Sequence, residues 1–115
     1  VSTIVIWVSD IQRSVNFYSA IFEDSHPLVT ESFASTSGFG NEVLIHLLPE
    51  EHRSQPTLGA DNPIKPVFTI YSIDKARLAA GRTGGRFSSD IQEHEFQRYV
   101  DGNDPDGHVI QLRES

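Results

Sequence analysis

The 115-residue chain contains no cysteine. That excludes a disulfide framework, a thiolate zinc site and a cysteine nucleophile. Positive charge is also scarce: nine Lys and Arg stand against sixteen Asp and Glu, giving a formal net charge of −7. Residues 1–60 carry two of the basic and seven of the acidic residues. Such a chain is poorly suited to nucleic acid, whose affinity rests on Lys and Arg neutralising phosphates. No long apolar run exists. The longest, from Ile4 to Val8, falls far short of the ~20 residues that cross a bilayer. No secretory or transit segment is visible, so a soluble, cytoplasmic protein without membrane or nucleic-acid partners is the expectation. Also missing are a P-loop, a dinucleotide fingerprint, a Ser–His–Asp pattern and an HExxH motif. Tryptophan occurs once, as Trp7. The length suits one compact domain able to bury a core without covalent staples.

What is present follows a repeated order. Val1–Val8 is rich in β-branched and aromatic residues and reads as a strand. Asp10, or Ser9, can cap a following helix whose apolar positions Ile11, Val15, Tyr18 and Phe22 fall at helical spacing. Residues 28–35 look extended, "TSGFGN" (36–41) is a turn and "EVLIHLL" (42–48) is another strand. Residues 49–66 hold four prolines and little periodicity, which marks a connector. The pattern then restarts. "VFTIYSID" (67–74) is a strand ending at a potential cap, Asp74, and "KARLAAGRTGG" is a helix stopped by Gly84 and Gly85. Weak strands follow near 86–89 and 95–100, then Asp104-Pro105-Asp106-Gly107, a tight reversal. "HVIQLRE" closes the chain.

The closing strands superpose at a shift of 65: "VLIHLLPE" (43–50) lies over "HVIQLRES" (108–115). The same shift places Thr3 on Phe68 and His46 on Gln111. The expected organisation is a module at 1–48, a connector at 49–66 and a second module at 67–115 within one domain, each module reading strand–helix–strand–strand–strand. Strand alternation then sends Ile4, Ile6 and Val8 toward the helix, and Thr3, Val5 and Trp7 toward the concave side of a curved sheet. By the repeat, His46 and Gln111 face that concavity, with Val5, Trp7, Phe68 and Ile70 as its apolar wall. Each has a plainer alternative as ordinary core. Tyr99 and Arg98 lie nearby, with their facing undetermined. His94 reads as an exposed strand or loop residue, and His108 as a strand end.

Two motifs carry a resemblance. "VSDIQRSVNFYSAIF" (8–22) resembles the V-x-D-hydrophobic-x-x-S-hydrophobic-x-F-Y opening of the vicinal oxygen chelate superfamily. "DPDGHVIQL" (104–112) resembles its closing D-P-D-G-x-x-hydrophobic-E-hydrophobic element, with Gln111 in place of Glu. This superfamily includes glyoxalase I, extradiol dioxygenases, and the fosfomycin and bleomycin resistance proteins. The resemblance implies an α+β fold: two βαβββ modules forming a curled mixed sheet around a cavity, usually in a homodimer. In metal-dependent members each module contributes one ligand from its first strand and one from its last. Those positions here are Thr3, His46, Phe68 and Gln111. Phe68 cannot coordinate and Thr3 is a poor ligand, so a divalent metal is not expected as a cofactor. Two functions remain open. One is a binder that sequesters a drug or metabolite, as in antibiotic resistance. The other is a glyoxalase-type lyase or isomerase with His46 as general base.

Overall fold

The computed structural model describes residues 2–53 and 63–115. The middle of the connector, 54–62, lies outside them. The order is β1 (Ser2–Val8), α1 (Ile11–Phe22), β2 (Leu28–Val29), β3 (Phe33–Gly38) and β4 (Asn41–Leu47). After a short 3-10 turn come β5 (Val67–Ile70), α2 (Ile73–Arg82), β6 (Arg86–Phe87), β7 (Gln92–His94), β8 (Gln97–Asn103) and β9 (Val109–Glu114). Two mixed sheets result, ordered β1-β4-β3-β2 and β5-β9-β8-β6, with β7 also paired to β8. In both, the first strand runs parallel to the last, because the intervening helix brings the chain back. The second sheet carries one more strand than the repeat predicts. Its additional hairpin, β7–β8, turns through Glu95 and Phe96, both at positive φ.

Local signals set both helices. Asp10 caps α1, accepting a hydrogen bond from the Arg13 N–H at 3.0 Å. Ser72, not Asp74, caps α2 by accepting from the Lys75 N–H at 3.2 Å. Asp74 falls inside the first turn instead, where its charge suits the helix dipole. The buried stripe of α1 comprises Ile11, Ser14, Val15, Phe17, Tyr18, Ile21 and Phe22. It serves both modules at once. Phe22 meets β3 at Gly38, where an added Cβ would come within 2.3 Å of the Phe22 carbonyl oxygen, so only glycine fits. On the other side, Tyr18 and Phe22 meet Phe68 edge-on, with centroids 6.0 and 5.3 Å away, and Phe17 stacks on Phe87 at 6.1 Å. One continuous core therefore joins the modules.

The turn between β8 and β9 fastens this arrangement. Its Gly107 N–H closes on the Asp104 carbonyl at 2.9 Å. The Asp104 side chain is fully buried and accepts from four donors: the Tyr18 hydroxyl at 2.7 Å, the Asp106 and His108 N–H groups at 3.0 and 2.9 Å, and His108 Nδ1 at 2.8 Å. The Asp106 carboxylate accepts from the Ser9 N–H at 2.6 Å and the Ser9 hydroxyl at 2.7 Å, and pairs with Arg13. Burial, reinforced by the Asp104 charge, pushes the Tyr18 hydroxyl well above its usual pKa, so it remains a donor. The hydrogen bond to Asp104 raises the His108 pKa, against the opposing effect of burial.

A raised folded-state pKa means that His108 stabilises the fold fully below its unfolded value of about 6.5. That contribution disappears as pH rises through the higher folded value. Urea unfolding midpoints should therefore fall from pH 6 to pH 8 more steeply in the wild type than in His108→Gln. Parallel slopes in the two proteins would contradict the pairing.

Candidate functional site

Each sheet has one face against the helices and one left open. On β1 the alternation runs as expected. Ile6 and Val8 are buried, whereas Thr3, Val5 and Trp7 lie on the open face, with Trp7 51% exposed. The parallel register sets Trp7 beside His46, and the antiparallel register sets Phe33 on the other side of His46. The three rings form a row, with centroids 4.9 Å apart for Trp7–His46 and 5.2 Å for Phe33–His46. Neither imidazole nitrogen has a hydrogen-bond partner among the described residues. The next row is Val5, Leu44 and Ser35. The third is Thr3, Glu42 and Ser37, in which the Thr3 hydroxyl donates to Glu42 Oε1 at 2.8 Å. This face thus grades from aromatic to acidic. Phe33 escapes a reading of the sequence because cross-strand register is not written in any single strand.

The second sheet departs from expectation in one strand. Phe68 and Ile70 lie in the core, and Val67 and Thr69 take the open face. The cause is the length of the repeat. The closing strands are offset by 65, but the two helix caps, Asp10 and Ser72, are 62 positions apart. An odd difference exchanges the faces of a strand, because side chains alternate with period two. Phe68 and Ile70 are therefore core residues and cannot wall a cavity on the open side.

Gln111 does share the open face, opposite Asp101 on β8 and Val67 on β5. It is only 6% exposed because neighbouring side chains cover it. Its Nε2 donates to Asp101 Oδ1 at 3.0 Å, and its Oε1 accepts from Arg113 Nε at 2.8 Å. Lys65 Nζ lies 3.1 Å from the other Asp101 oxygen. Arg113 Nη1 reaches Gln97 Oε1 at 3.4 Å. Tyr99 and Thr69 flank Arg113 in register. Arg98 points the other way, to Glu114 at 3.1 Å, and the second Glu114 oxygen accepts from the first N–H of α2. Arg113 was within reach of sequence reasoning, since it lies two residues after Gln111 on the same face.

A metal held by the four positions that the resemblance implies does not fit this geometry. Thr3 pairs with Glu42, whereas His46 pairs with Trp7 four ladder steps along. At ~3.3 Å per residue, Thr3 and His46 are about 13 Å apart along the sheet, too far to share an ion bound at ~2 Å. Phe68 is in the core, and both amide atoms of Gln111 are engaged. Among the described residues, no three His, Asp or Glu side chains are grouped to hold an ion.

Both ends of the chain fit one family. The model of the Glyoxalase/Bleomycin resistance protein/Dioxygenase superfamily matches residues 1–112. The chain belongs to this superfamily. Solved structures agree on the fold. A glyoxalase/bleomycin resistance protein from Albidiferax ferrireducens T118 superposes with a TM-score of 0.72 at 17% identity, covering 100% of this chain and 98% of its own. The fosfomycin resistance protein FosX from Mesorhizobium loti gives 0.71 at 16%, covering 100% and 91%. A family enzyme from Burkholderia phytofirmans PsJN gives 0.73 at 15%, covering 98% and 96%. A search of the curated proteins finds no match. Among the described residues, no helix is long and apolar enough to cross a membrane.

The facing of β5 has a direct consequence. Phe68→Ala should cost about 3–5 kcal/mol, the range for emptying a buried aromatic site. Val67→Ala, on the open face, should cost under about 1 kcal/mol. Urea denaturation compares the two, and a reversed order would contradict the assignment.

Proposed function

We propose that this superfamily member binds a small organic molecule, a drug or a metabolite, against the open face of its first sheet and holds it without a resident metal. The observation that carries this reading is the Trp7–His46–Phe33 row. A half-exposed indole is costly to leave in water, and the imidazole beside it has both nitrogens open to a ligand. Aromatic faces stack on planar groups, and the free ring nitrogens supply one directional hydrogen bond. Val5 and Leu44 extend the apolar surface beside the row. The open face of the second sheet, with Gln111 at its centre, is polar instead. The scattered donor positions support the metal-free part of the proposal. A second reading as a glyoxalase-type lyase or isomerase is favoured by His46 alone. Its free nitrogen can accept a proton from an acidic C–H or O–H of a bound ligand, leaving an imidazolium and a ligand anion.

The proposal extends to a homodimer. The edge strands β1 and β5 each pair on one side only among the described residues. A second copy can cover such edges.

Trp7, the sole tryptophan, reports binding directly. Titration with planar aromatic compounds should change its emission saturably, and His46→Ala should weaken that binding about tenfold or more. A panel that leaves Trp7 unchanged in every case would contradict the reading. Elemental analysis of gently purified protein should find no stoichiometric divalent metal. One equivalent of Zn, Ni, Mn or Fe per chain, lost in His46→Ala, would overturn the metal-free site. Sedimentation equilibrium should give twice the 12.8 kDa chain mass, and a single species at that mass would reject the dimer.

A further inference from the structure

The second sheet presents an oriented cation on its open face. Arg113 is held by two neutral amide oxygens, Gln111 Oε1 at 2.8 Å and Gln97 Oε1 at 3.4 Å. Among the described residues no carboxylate pairs with it. Two neighbouring cations are neutralised, Lys65 by Asp101 on the same face and Arg98 by Glu114 on the opposite face, whereas Arg86 on β6 is exposed and is neither paired with a carboxylate nor held by an amide among the described residues. A guanidinium has five N–H groups, and these two bonds occupy two of them. Three remain for a ligand, on a group whose orientation is already fixed.

Its neighbours suit an oxyanion. The register places Thr69 on one side of Arg113 and Tyr99 on the other, all three on the open face. Neither hydroxyl has a hydrogen-bond partner among the described residues. Gln111 explains how the charge survives. A glutamate at this position would lie opposite Asp101 and would neutralise Arg113 as an ion pair. Glutamine keeps the bond to Arg113 and leaves its charge unspent. The Gln111 amide is itself fixed by donating to Asp101 at 3.0 Å, and Asp101 by Lys65 at 3.1 Å. The series Lys65–Asp101–Gln111–Arg113 thus runs from an ion pair through one neutral amide to a cation that faces outward.

We infer that Thr69, Arg113 and Tyr99 form a subsite for a carboxylate group of the ligand, with Gln111 as the positioning residue. This rests on the reading of the open faces as ligand walls. It narrows the ligand of this face to an organic acid. A planar carboxylate takes two parallel N–H bonds from a guanidinium, which an amide or alcohol cannot reproduce.

The test uses full-length, isotope-labelled protein, with benzoate and its neutral analogue benzamide as probes. Nuclear magnetic resonance reads the Arg113 Nε–H, the Gln111 side-chain amide and the Trp7 indole N–H separately. Benzoate should shift the Arg113 and Gln111 signals saturably, and benzamide should bind at least tenfold more weakly. Arg113→Gln, an exposed substitution, should erase that preference, and so should Gln111→Glu. Benzoate shifts at Arg113 without any at Trp7 would keep the subsite and reject the aromatic wall. Equal binding of benzoate and benzamide, with shifts at Trp7, would keep the wall and overturn the subsite. The subsite is also overturned if benzoate leaves Arg113 unmoved, or if Arg113→Gln retains the preference.

Discussion

Two buried carboxylates organise this molecule. Asp104 and Asp106 belong to a four-residue turn in the second module, yet their partners Tyr18, Ser9 and Arg13 belong to the first. A buried charge is tolerable only when fully hydrogen-bonded, and breaking such a set costs about 3–5 kcal/mol. The turn must therefore dock on the start of α1. Docking brings Gly84 and Gly85 against α1, where a Cβ at Gly85 would meet the Phe17 ring at 2.0 Å. It also settles α1 on Phe68 and Phe87 of the second sheet. The D-P-D-G element thus serves as the clamp between the modules. Its carboxylates are consumed by the fold.

The two open faces differ in chemistry. The first sheet offers rings and apolar groups, with acid only at the far row of Thr3 and Glu42. The second offers a polar ladder in which Lys65 matches Asp101 and amide oxygens alone hold Arg113 among the described residues. A single replacement, glutamine where the family element has glutamate, carries both consequences drawn for the site. It removes a carboxylate from a position that would hold metal, and it preserves a cation two residues later. The fold does not decide between binding and catalysis. The case for a binder rests on the wide separation of the donors that metal chemistry would need to converge.

Much of the fold was legible because local rules and tertiary needs agree. Asp10 as a cap, the apolar stripe of α1, the alternation of β1 and the turn at 104–107 each follow from a short stretch of sequence. Other placements depart from the local signals. Asp74 reads as a cap in the sequence, but Ser72 begins the helix two residues earlier, 62 positions after Asp10 and not the 65 of the closing strands. The shift of 65 holds in the closing strands and fails in β5, which puts Phe68 and Ile70 in the core and not on the open face. Parity amplifies such an error, since an odd slip exchanges every side chain in the strand. Phe33 and the β7–β8 hairpin were illegible for another reason. Their placement depends on pairing across the sheet, and short polar strands such as Gln92–His94 carry little pattern.

The account stands on the claim that the open faces, and no other surface, receive the ligand. A crystal structure of the protein with 2-naphthoate tests it most directly. The account predicts the naphthoate on an open sheet face, with its carboxylate within hydrogen-bond distance of Arg113 or its ring stacked on Trp7. The contrary result is naphthoate in the cleft on the helix side, among Phe39, Tyr71 and Lys75, with Trp7 covered by protein or untouched.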